Sequence, residues 1–342
     1  MSGGVRAVGL LSGGLDSTLA ARIMKEQGVE VDAVNFYTGF CIVEHRRKMG
    51  RSGRRGRNEA LRAGADIEVS VDIVDIFDEY LSVVAHPRFG YGSAINPCID
   101  CRILMLKNAR LRMESTGAKF VFTGEVLGQR PMSQHKNQLR LIEKESGLEG
   151  LLLRPLSAKL LPPTLPETEG WVDREMLYGI SGRGRKEQFV LAEQYGIVDY
   201  PQPAGGCCFL TDKNYAAKLK DLYAHKGKDS VSKEDVILLK VGRHFRISEA
   251  AKVIVGRDEG ENNFLESYVD NRWVFMALDF EGPLTLVEGD MSADEKRSVA
   301  AITARYSDGK NQNVVRVEWR YGGESGVLEV EPAGNEIDSL RV

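Results

Sequence analysis

Residues 9–24 read GLLSGGLDSTLAARIM, and they combine a strand-like segment, a glycine-rich turn and a helix-like segment. An apolar run suited to a buried strand enters a turn of one serine and two glycines, and a segment with helical periodicity follows. A glycine-rich turn between a strand and a helix exposes backbone N–H groups at the positive end of the helix dipole. The stretch therefore predicts a phosphate-binding loop, in which Ser12 and Ser17 supply hydroxyl donors and Asp16 holds Mg²⁺ against the phosphates.

The first third of the chain alternates strand-like segments (AVGLL, VDAVNFYT, DIEVSVDI, KFVFTG) with helix-like ones. This alternation predicts an α/β fold, a parallel sheet with helices on both faces. Ligands of such sheets bind at the carboxyl ends of the strands, which is where SGGLDS and a later TGE fall. From about residue 236 short strands prevail, so we expect a smaller C-terminal α+β domain. We expect the two domains to cover residues 1–230 and 231–342.

Composition and charge narrow the class of protein. No run of eighteen apolar residues occurs, and the N-terminus lacks a signal-peptide pattern, so we expect a cytoplasmic protein without membrane contact. Residues 231–342 hold 14 Lys/Arg and 21 Asp/Glu, a net charge of −7. The whole chain holds 46 Lys/Arg and 49 Asp/Glu, so residues 1–230 hold 32 Lys/Arg and 28 Asp/Glu, a net charge of +4. The N-terminal part, with a basic run at residues 45–57, is the better candidate to meet a polyanion.

Two motifs carry a family resemblance that covers roughly residues 5–215. SGGLDS resembles the PP-loop of the N-type ATP pyrophosphatases, and no GxxxxGK[ST] loop is present. TGEVLGQRPMSQ, residues 123–134, resembles the TGE-x-LGQ-x-x-SQ segment of the ThiI-type tRNA 4-thiouridine synthetases. The resemblance to the 2-thiouridylases is looser.

The resemblance implies an adenine nucleotide α-hydrolase-like fold, ATP and Mg²⁺ as cofactors, and tRNA as partner. ATP adenylates a uridine oxygen, and sulfur then displaces AMP. The ATP-binding residues implied by the match are Ser12, Gly13, Gly14, Asp16, Ser17, Thr123, Gly124 and Gln129. We expect neither the THUMP domain nor the rhodanese domain of such enzymes, so sulfide or a cysteine desulfurase would deliver the sulfur.

The chain has five cysteines, an odd number that argues against a disulfide framework. Cys98 and Cys101 stand three apart, and Cys207 follows a glycine pair that could bring its thiolate to them. Three thiolates can hold a [4Fe–4S] cluster with one open iron, as in several thiolases of this superfamily. A zinc site, a Cys98–Cys207 persulfide pair and inert thiols are the alternatives, and Cys208 is the alternative third ligand. We expect Asp16, Cys98 and Cys207 to be catalytic, Cys41 to have a packing role, and His135 to be a partly exposed structural histidine.

Residues 238–265 carry two VGR strings and resemble the RNA-binding region of the NFACT proteins. The resemblance implies an RNA contact, for which Arg243, Arg246, Lys252 and Arg257 are the candidate phosphate ligands. The acidic balance of this region speaks against a broad RNA-binding face. A small β-rich domain for dimerisation or for covering the active site is the alternative.

The sequence thus predicts an ATP-dependent tRNA sulfurtransferase, with 4-thiouridine favoured over 2-thiouridine as the product. One rival is a PP-loop ligase or amidotransferase that adenylates a small substrate and needs no cysteines. The other is a non-enzymatic RNA-binding factor with a vestigial ATP site. A homodimer is compatible with all three.

Overall fold

A computed structural model describes residues 4–42, 45, 57–201 and 208–342. These residues form two units, the first ending at Thr211 and the second beginning at Asp212. Most of the basic run at 45–57, and Cys207, lie outside the described residues.

The first unit is built on a five-stranded parallel sheet of order β3-β2-β1-β4-β5. Its strands are β1 (Arg6–Leu10), β2 (Glu30–Tyr37), β3 (Val71–Asp75), β4 (Phe120–Thr123) and β5 (Leu152–Leu153). Its helices are α1 (Leu15–Glu26), α2 (Glu59–Asp66), α3 (Phe77–Ala85), α4 (Cys98–Thr116), α5 (Lys136–Ser146), α6 (Leu165–Thr168) and α7 (Lys186–Gln194). The α/β prediction is confirmed.

The strand order reverses at β1. The chain passes from β1 to β2 on one side of the sheet, whereas β4 pairs with β1 on the other side, with Leu10 opposite both Val34 and Thr123. The carboxyl ends of β1 and β4 therefore flank the switch point where open α/β sheets bind ligands. Buried Ala7 and Val8 face separate apolar clusters on the two faces of the sheet, which hold this edge in place.

The second unit has a six-stranded antiparallel sheet of order β11-β10-β8-β9-β7-β6. Its strands are β6 (Arg243–Arg246), β7 (Lys252–Val255), β8 (Trp273–Ala277), β9 (Thr285–Glu288), β10 (Val315–Tyr321) and β11 (Glu324–Val330). Its helices are α8 (Lys213–Lys226), α9 (Lys233–Leu238), α10 (Glu259–Glu266) and α11 (Ala293–Arg305). This architecture agrees with the predicted α+β class.

The second unit begins before the boundary expected near residue 230. Helix α8 accounts for the difference, because its side chains bind the unit that follows. The Tyr215 hydroxyl donates to the Val236 carbonyl at 3.0 Å, and Asp221 accepts from Arg246 at 2.7 Å. The polar stretch after α8, which looks like an interdomain linker in the sequence, therefore lies inside the second unit.

Candidate nucleotide and thiol site

The loop after β1 has the backbone of a close-approach turn. Gly13 has φ +78°, and a Cβ at this position would lie 2.3 Å from the Glu59 carbonyl carbon. Gly14 is the N-cap residue of α1 and has no side chain to occupy the helix N-terminus. Because the first N–H groups of a helix have no partner within it, this end can receive phosphate oxygens.

The two serines of SGGLDS contact each other across the loop. Their Oγ atoms are 3.0 Å apart, and the backbone N–H of Ser12 donates to the Ser17 Oγ at 3.2 Å. The Ser17 hydroxyl also donates to the Gly14 carbonyl at 2.9 Å. The hydroxyls predicted to face the phosphates therefore also fix the shape of the loop.

Asp16 lies at the first turn of α1 and contacts the second motif. Its Oδ2 accepts from the Gln129 Nε2 at 2.7 Å and lies 3.6 Å from the Arg185 guanidinium. Its Oδ1 is buried and has no hydrogen-bond partner among the described residues. A buried carboxylate oxygen without a donor is a fit ligand for a hard cation such as Mg²⁺.

The TGE segment approaches the loop backbone to backbone. A Cβ on Gly124 would lie 2.5 Å from the backbone carbon and oxygen of Asp16 and from the Ser17 nitrogen. Thr123, the last residue of β4, is buried, and its hydroxyl lies 3.3 Å from Glu125. Only a glycine fits at position 124, which is a physical reason for the second letter of the motif.

Glu125 connects this segment to the cysteine helix. Its side chain is 2% exposed and accepts from the Arg154 Nε at 3.2 Å. Arg102, in the second turn of α4, is 3.4 Å from the other carboxylate oxygen. Residues i and i+4 lie on the same face of a helix. Cys98 therefore lies one turn before Arg102, the residue that contacts the TGE segment, and on the same face of α4.

Two residues that support the loop after β1 were not predicted from the sequence. The side chain of Arg62 is fully buried; its Nη2 donates to the Gly13 carbonyl at 3.0 Å, and its Nη1 donates to the Asp199 carbonyl. Gln188 donates to the Gln129 Oε1 at 3.2 Å and so orients the amide that meets Asp16. Arg62 lies in α2, a helix that looks exposed in the sequence, and Gln188 lies in α7. Neither residue belongs to a sequence motif, so the sequence alone does not identify them.

Cys98 and Cys101 lie in the first turn of α4. Asn96 donates to the Cys98 Sγ at 3.1 Å. The buried Tyr80 hydroxyl forms a hydrogen bond with Cys101. Burial raises the pKa of Tyr80 well above its usual range, and the charges of Cys101, Cys208 and Cys98 raise it further. Three thiols thus influence the charge of one phenol, and Tyr80 is a residue of this region that the sequence did not reveal.

The third predicted ligand, Cys207, lies outside the described residues. Its neighbour Cys208 pairs with Cys41 through an isolated antiparallel bridge. Within residues 4–42, 45, 57–201 and 208–342, no three His, Cys, Asp or Glu side chains gather as a metal ion requires. The described cysteines alone thus do not form the predicted cluster site, although their thiol chemistry suits iron or zinc.

Asp100, between the two cysteines, has a structural role. Asp100 is buried and accepts from the backbone N–H groups of Arg88 and Phe89, both at 3.1 Å, so it anchors the preceding loop. His135 is the N-cap residue of α5, and its side chain forms no cap hydrogen bond.

In the second unit, three of the four predicted phosphate ligands pair with acids. Arg246 and Lys252 both contact Asp221, at 2.7 and 3.2 Å, and Arg257 binds Glu261 through two nitrogens. Arg243 lies over the Tyr306 ring, 4.5 Å from its centroid. These internal contacts argue against the predicted role of the four residues as a phosphate-binding set.

The fold and the loop geometry define an α/β unit with a glycine-rich loop after its first strand, followed by a separate β-rich unit. Residues 3–159 match the family model "Thiamine biosynthesis protein (ThiI)", and residues 242–338 match "NFACT protein RNA binding domain". Both resemblances expected from the sequence are confirmed: the chain is similar to the ThiI-type PP-loop family in its N-terminal part and to the NFACT RNA-binding domain in its C-terminal part.

Two curated relatives are similar to parts of this chain. A probable tRNA sulfurtransferase of Thermococcus kodakarensis is 30% identical over 151 residues, 44% of this chain and 36% of the relative. The tRNA-specific 2-thiouridylase MnmA of Geotalea uraniireducens is 24% identical over 240 residues, 66% of this chain and 59% of the relative. The chain thus spans between about a third and three fifths of the length of these relatives.

A solved 4-thiouridine synthetase–RNA complex with bound ATP is 22% identical to this chain. The TM-score is 0.34, and the match covers 56% of this chain and 53% of the chain in the complex. Across the part of the chain that the structure describes, no helix has the length and apolarity needed to cross a bilayer.

Proposed function

We propose that this protein is an ATP-dependent tRNA sulfurtransferase that replaces a uridine carbonyl oxygen with sulfur. The observation that carries the proposal is the contact between Asp16 and Gln129. It joins the PP-loop after β1 to the ThiI-type segment after β4 at the switch point of the sheet. This contact supports a single nucleotide site built from two motifs that are far apart in the sequence.

The first step is adenylation of the uridine. The oxygen of the base attacks the α-phosphorus of ATP, and pyrophosphate leaves. The loop at Ser12–Ser17 receives the phosphates with backbone N–H groups and hydroxyls, which act where negative charge gathers. Asp16 Oδ1 would hold Mg²⁺, whose charge assists the departure of pyrophosphate.

The second step is attack by sulfur. Sulfur at the sulfide level attacks the activated ring carbon, the carbon–oxygen bond breaks, AMP leaves with the oxygen, and the sulfur's proton passes to solvent. We propose that Cys98 and Cys101, with Cys207, would ligate an iron–sulfur cluster, which could bind this sulfide-level sulfur without a change in its oxidation state. The Arg102–Glu125 pair supports this assignment because it connects the cysteine helix directly to the TGE segment. A nearby arginine also favours thiolates over thiols.

We favour 4-thiouridine as the product. The family match at residues 3–159 and the complete TGEVLGQ string support this choice. The 2-thiouridylase relatives make 2-thiouridine the second candidate, since they cover more of the chain at lower identity. For the second unit we propose RNA binding, in line with its family match.

An anaerobic assay tests the proposal. The protein is purified without oxygen, its iron, sulfide and zinc are measured, and it is incubated with ATP, sulfide and unmodified tRNA. Nucleoside mass spectrometry should detect a thiouridine that disappears with Asp16→Ala and Cys98→Ser but persists with Cys41→Ser, the matched control. The chromatographic position identifies the 2- or 4-isomer.

The outcomes separate the rivals. Pyrophosphate release that survives Cys98→Ser and yields no thionucleoside would replace the proposal by a ligase on a small substrate. Iron with sulfide would support a cluster held by the cysteines, and zinc would support a structural site. Thiolation without metal would support direct attack by free sulfide, because sulfide cannot form a cysteine persulfide without an oxidant.

A further inference from the structure

Three aromatic side chains and one lysine lie together on one face of the second sheet. Trp319 and Tyr321 end β10, Trp273 begins β8 beside them, and Lys296 comes from α11. We refer to these four residues as the aromatic platform. All four fall within the segment that matches the NFACT RNA-binding domain.

The rings of the platform are ordered. Tyr321 stacks on Trp273 with centroids 4.3 Å apart and planes within 9°, and Trp319 tilts against Trp273 at 5.5 Å. The Lys296 ammonium lies 4.0 Å from the Trp273 centroid and 4.9 Å from that of Trp319. Trp273 is thus the inner ring of the platform, with Tyr321, Trp319 and the Lys296 ammonium as neighbours. Tyr321 is the outer ring.

The platform extends beyond the part of the sheet that α11 covers. Val317 and Phe275, on the same face, are fully buried with the apolar residues of that helix. Tyr321, at the end of the same strand, is 37% exposed, and Trp319 is half-buried over Gly326, which has no side chain to cover it. The buried Trp273 Nε1–H has no acceptor among the described residues.

The charges nearby favour a ligand with a π-face over a bare polyanion. Arg246, Lys252 and Arg257 are occupied by acids, and residues 231–342 carry a balance of −7. Phosphate neutralisation is therefore a weak source of affinity here. Stacking of a base on an aromatic ring contributes regardless of net charge.

We propose that the aromatic platform binds an unpaired RNA base, which stacks on the outer face of Tyr321. This inference rests on the proposed function, because it takes tRNA as the partner. The second unit would then hold a single-stranded segment of the substrate by stacking, with little contribution from phosphate contacts.

Binding of a short fluorescein-labelled oligouridine to the full chain tests the platform. Tyr321→Ala should weaken binding about tenfold, which is within the range for loss of one base–aromatic stack, whereas Tyr321→Phe should retain it. The control is Val327→Ala, which is also exposed but lies on the opposite face of the same hairpin, since Val327 pairs with Glu318. Because no phosphate contact is removed, the slope of log Kd against log salt should be equal in wild type and Tyr321→Ala.

A second measurement does not depend on variants. An oligonucleotide with 5-iodouridine, irradiated on the wild-type protein, should cross-link to Tyr321 or Trp319, as located by peptide mass spectrometry. Unchanged binding by Tyr321→Ala, an equal loss in Val327→Ala, or a cross-link outside the platform would overturn the proposal. Thiolation of full tRNA, measured in parallel, keeps the two claims apart. Unchanged oligouridine binding in a thiolating Tyr321→Ala variant refutes the platform alone, and Tyr321-dependent binding without thiolation by wild type refutes the proposed enzyme alone.

Discussion

The close approach of Gly124 to the phosphate loop makes Gly124→Ala a sharp test of how the nucleotide site is built. The new methyl group would lie 2.5 Å from three backbone atoms of Asp16 and Ser17. Ordinary contact begins near 3.4 Å. Backbone atoms cannot rotate away as a side chain can, so β4 and α1 must separate by several tenths of an ångström.

The size of the effect follows from this overlap. Overpacking of this kind destabilises a protein by about 1–3 kcal/mol. With 2 kcal/mol as the central value, the first unit should melt about 4–8 °C lower, given about 2–4 °C per kcal/mol for a domain of this size. The separation also lengthens the 2.7 Å contact between Gln129 and Asp16, so the KM for ATP should rise.

The assay combines a thermal melt with ATP-dependent pyrophosphate release. Gly184→Ala is the matched control, because a Cβ there meets nothing within 4 Å. It should leave both quantities as in wild type. An unchanged melting temperature together with an unchanged KM for Gly124→Ala would refute the claim that the two motifs share one rigid site.

Three further predictions concern charges. Gln129→Glu puts a second carboxylate against Asp16, where an amide now donates at 2.7 Å. The KM for ATP–Mg²⁺ should therefore rise about tenfold in the pyrophosphate assay. An unchanged KM would contradict the assigned contact. Glu125→Gln leaves buried Arg154 with less compensating charge and should destabilise the first unit by about 3 kcal/mol in urea, with wild-type stability as the contrary result. Burial lowers the pKa of Lys218 to about 7 from 10.5, so between these values the folded chain binds fewer protons than the unfolded chain and its stability rises with pH. Lys218→Met should flatten that rise in denaturant titrations, and an identical slope in the variant would contradict it.

The sequence predicted the first unit better than the second. In the first unit, apolar strand segments alternate with helices as a parallel sheet requires, so local signals and the fold coincide. In the second, VILLK reads as a strand, yet Lys233–Leu238 is helical. Ser232 and Asp235 form a capping box there, and the reciprocal hydrogen bonds start a helix that the apolar run alone does not indicate.

The site was predictable only where chemistry and backbone geometry leave a motif. The glycines and hydroxyls of SGGLDS have such a motif because phosphate binding needs the backbone itself. Arg62 and Tyr80 have none, because their roles arise from burial against residues far away in the sequence. The roles of Cys98 and Cys207 remain predictions, with Cys207 outside the described residues.

The fate of the displaced oxygen tests the central claim most directly. A tRNA carrying ¹⁸O at the uridine O4 position is incubated with the protein, ATP and sulfide, and the released AMP is examined by mass spectrometry. Adenylation of the base followed by attack of sulfur predicts AMP with one ¹⁸O, and no label in AMP when O2 carries the isotope instead. Thiouridine formed with unlabelled AMP, or with ADP and phosphate in place of AMP and pyrophosphate, would contradict the account.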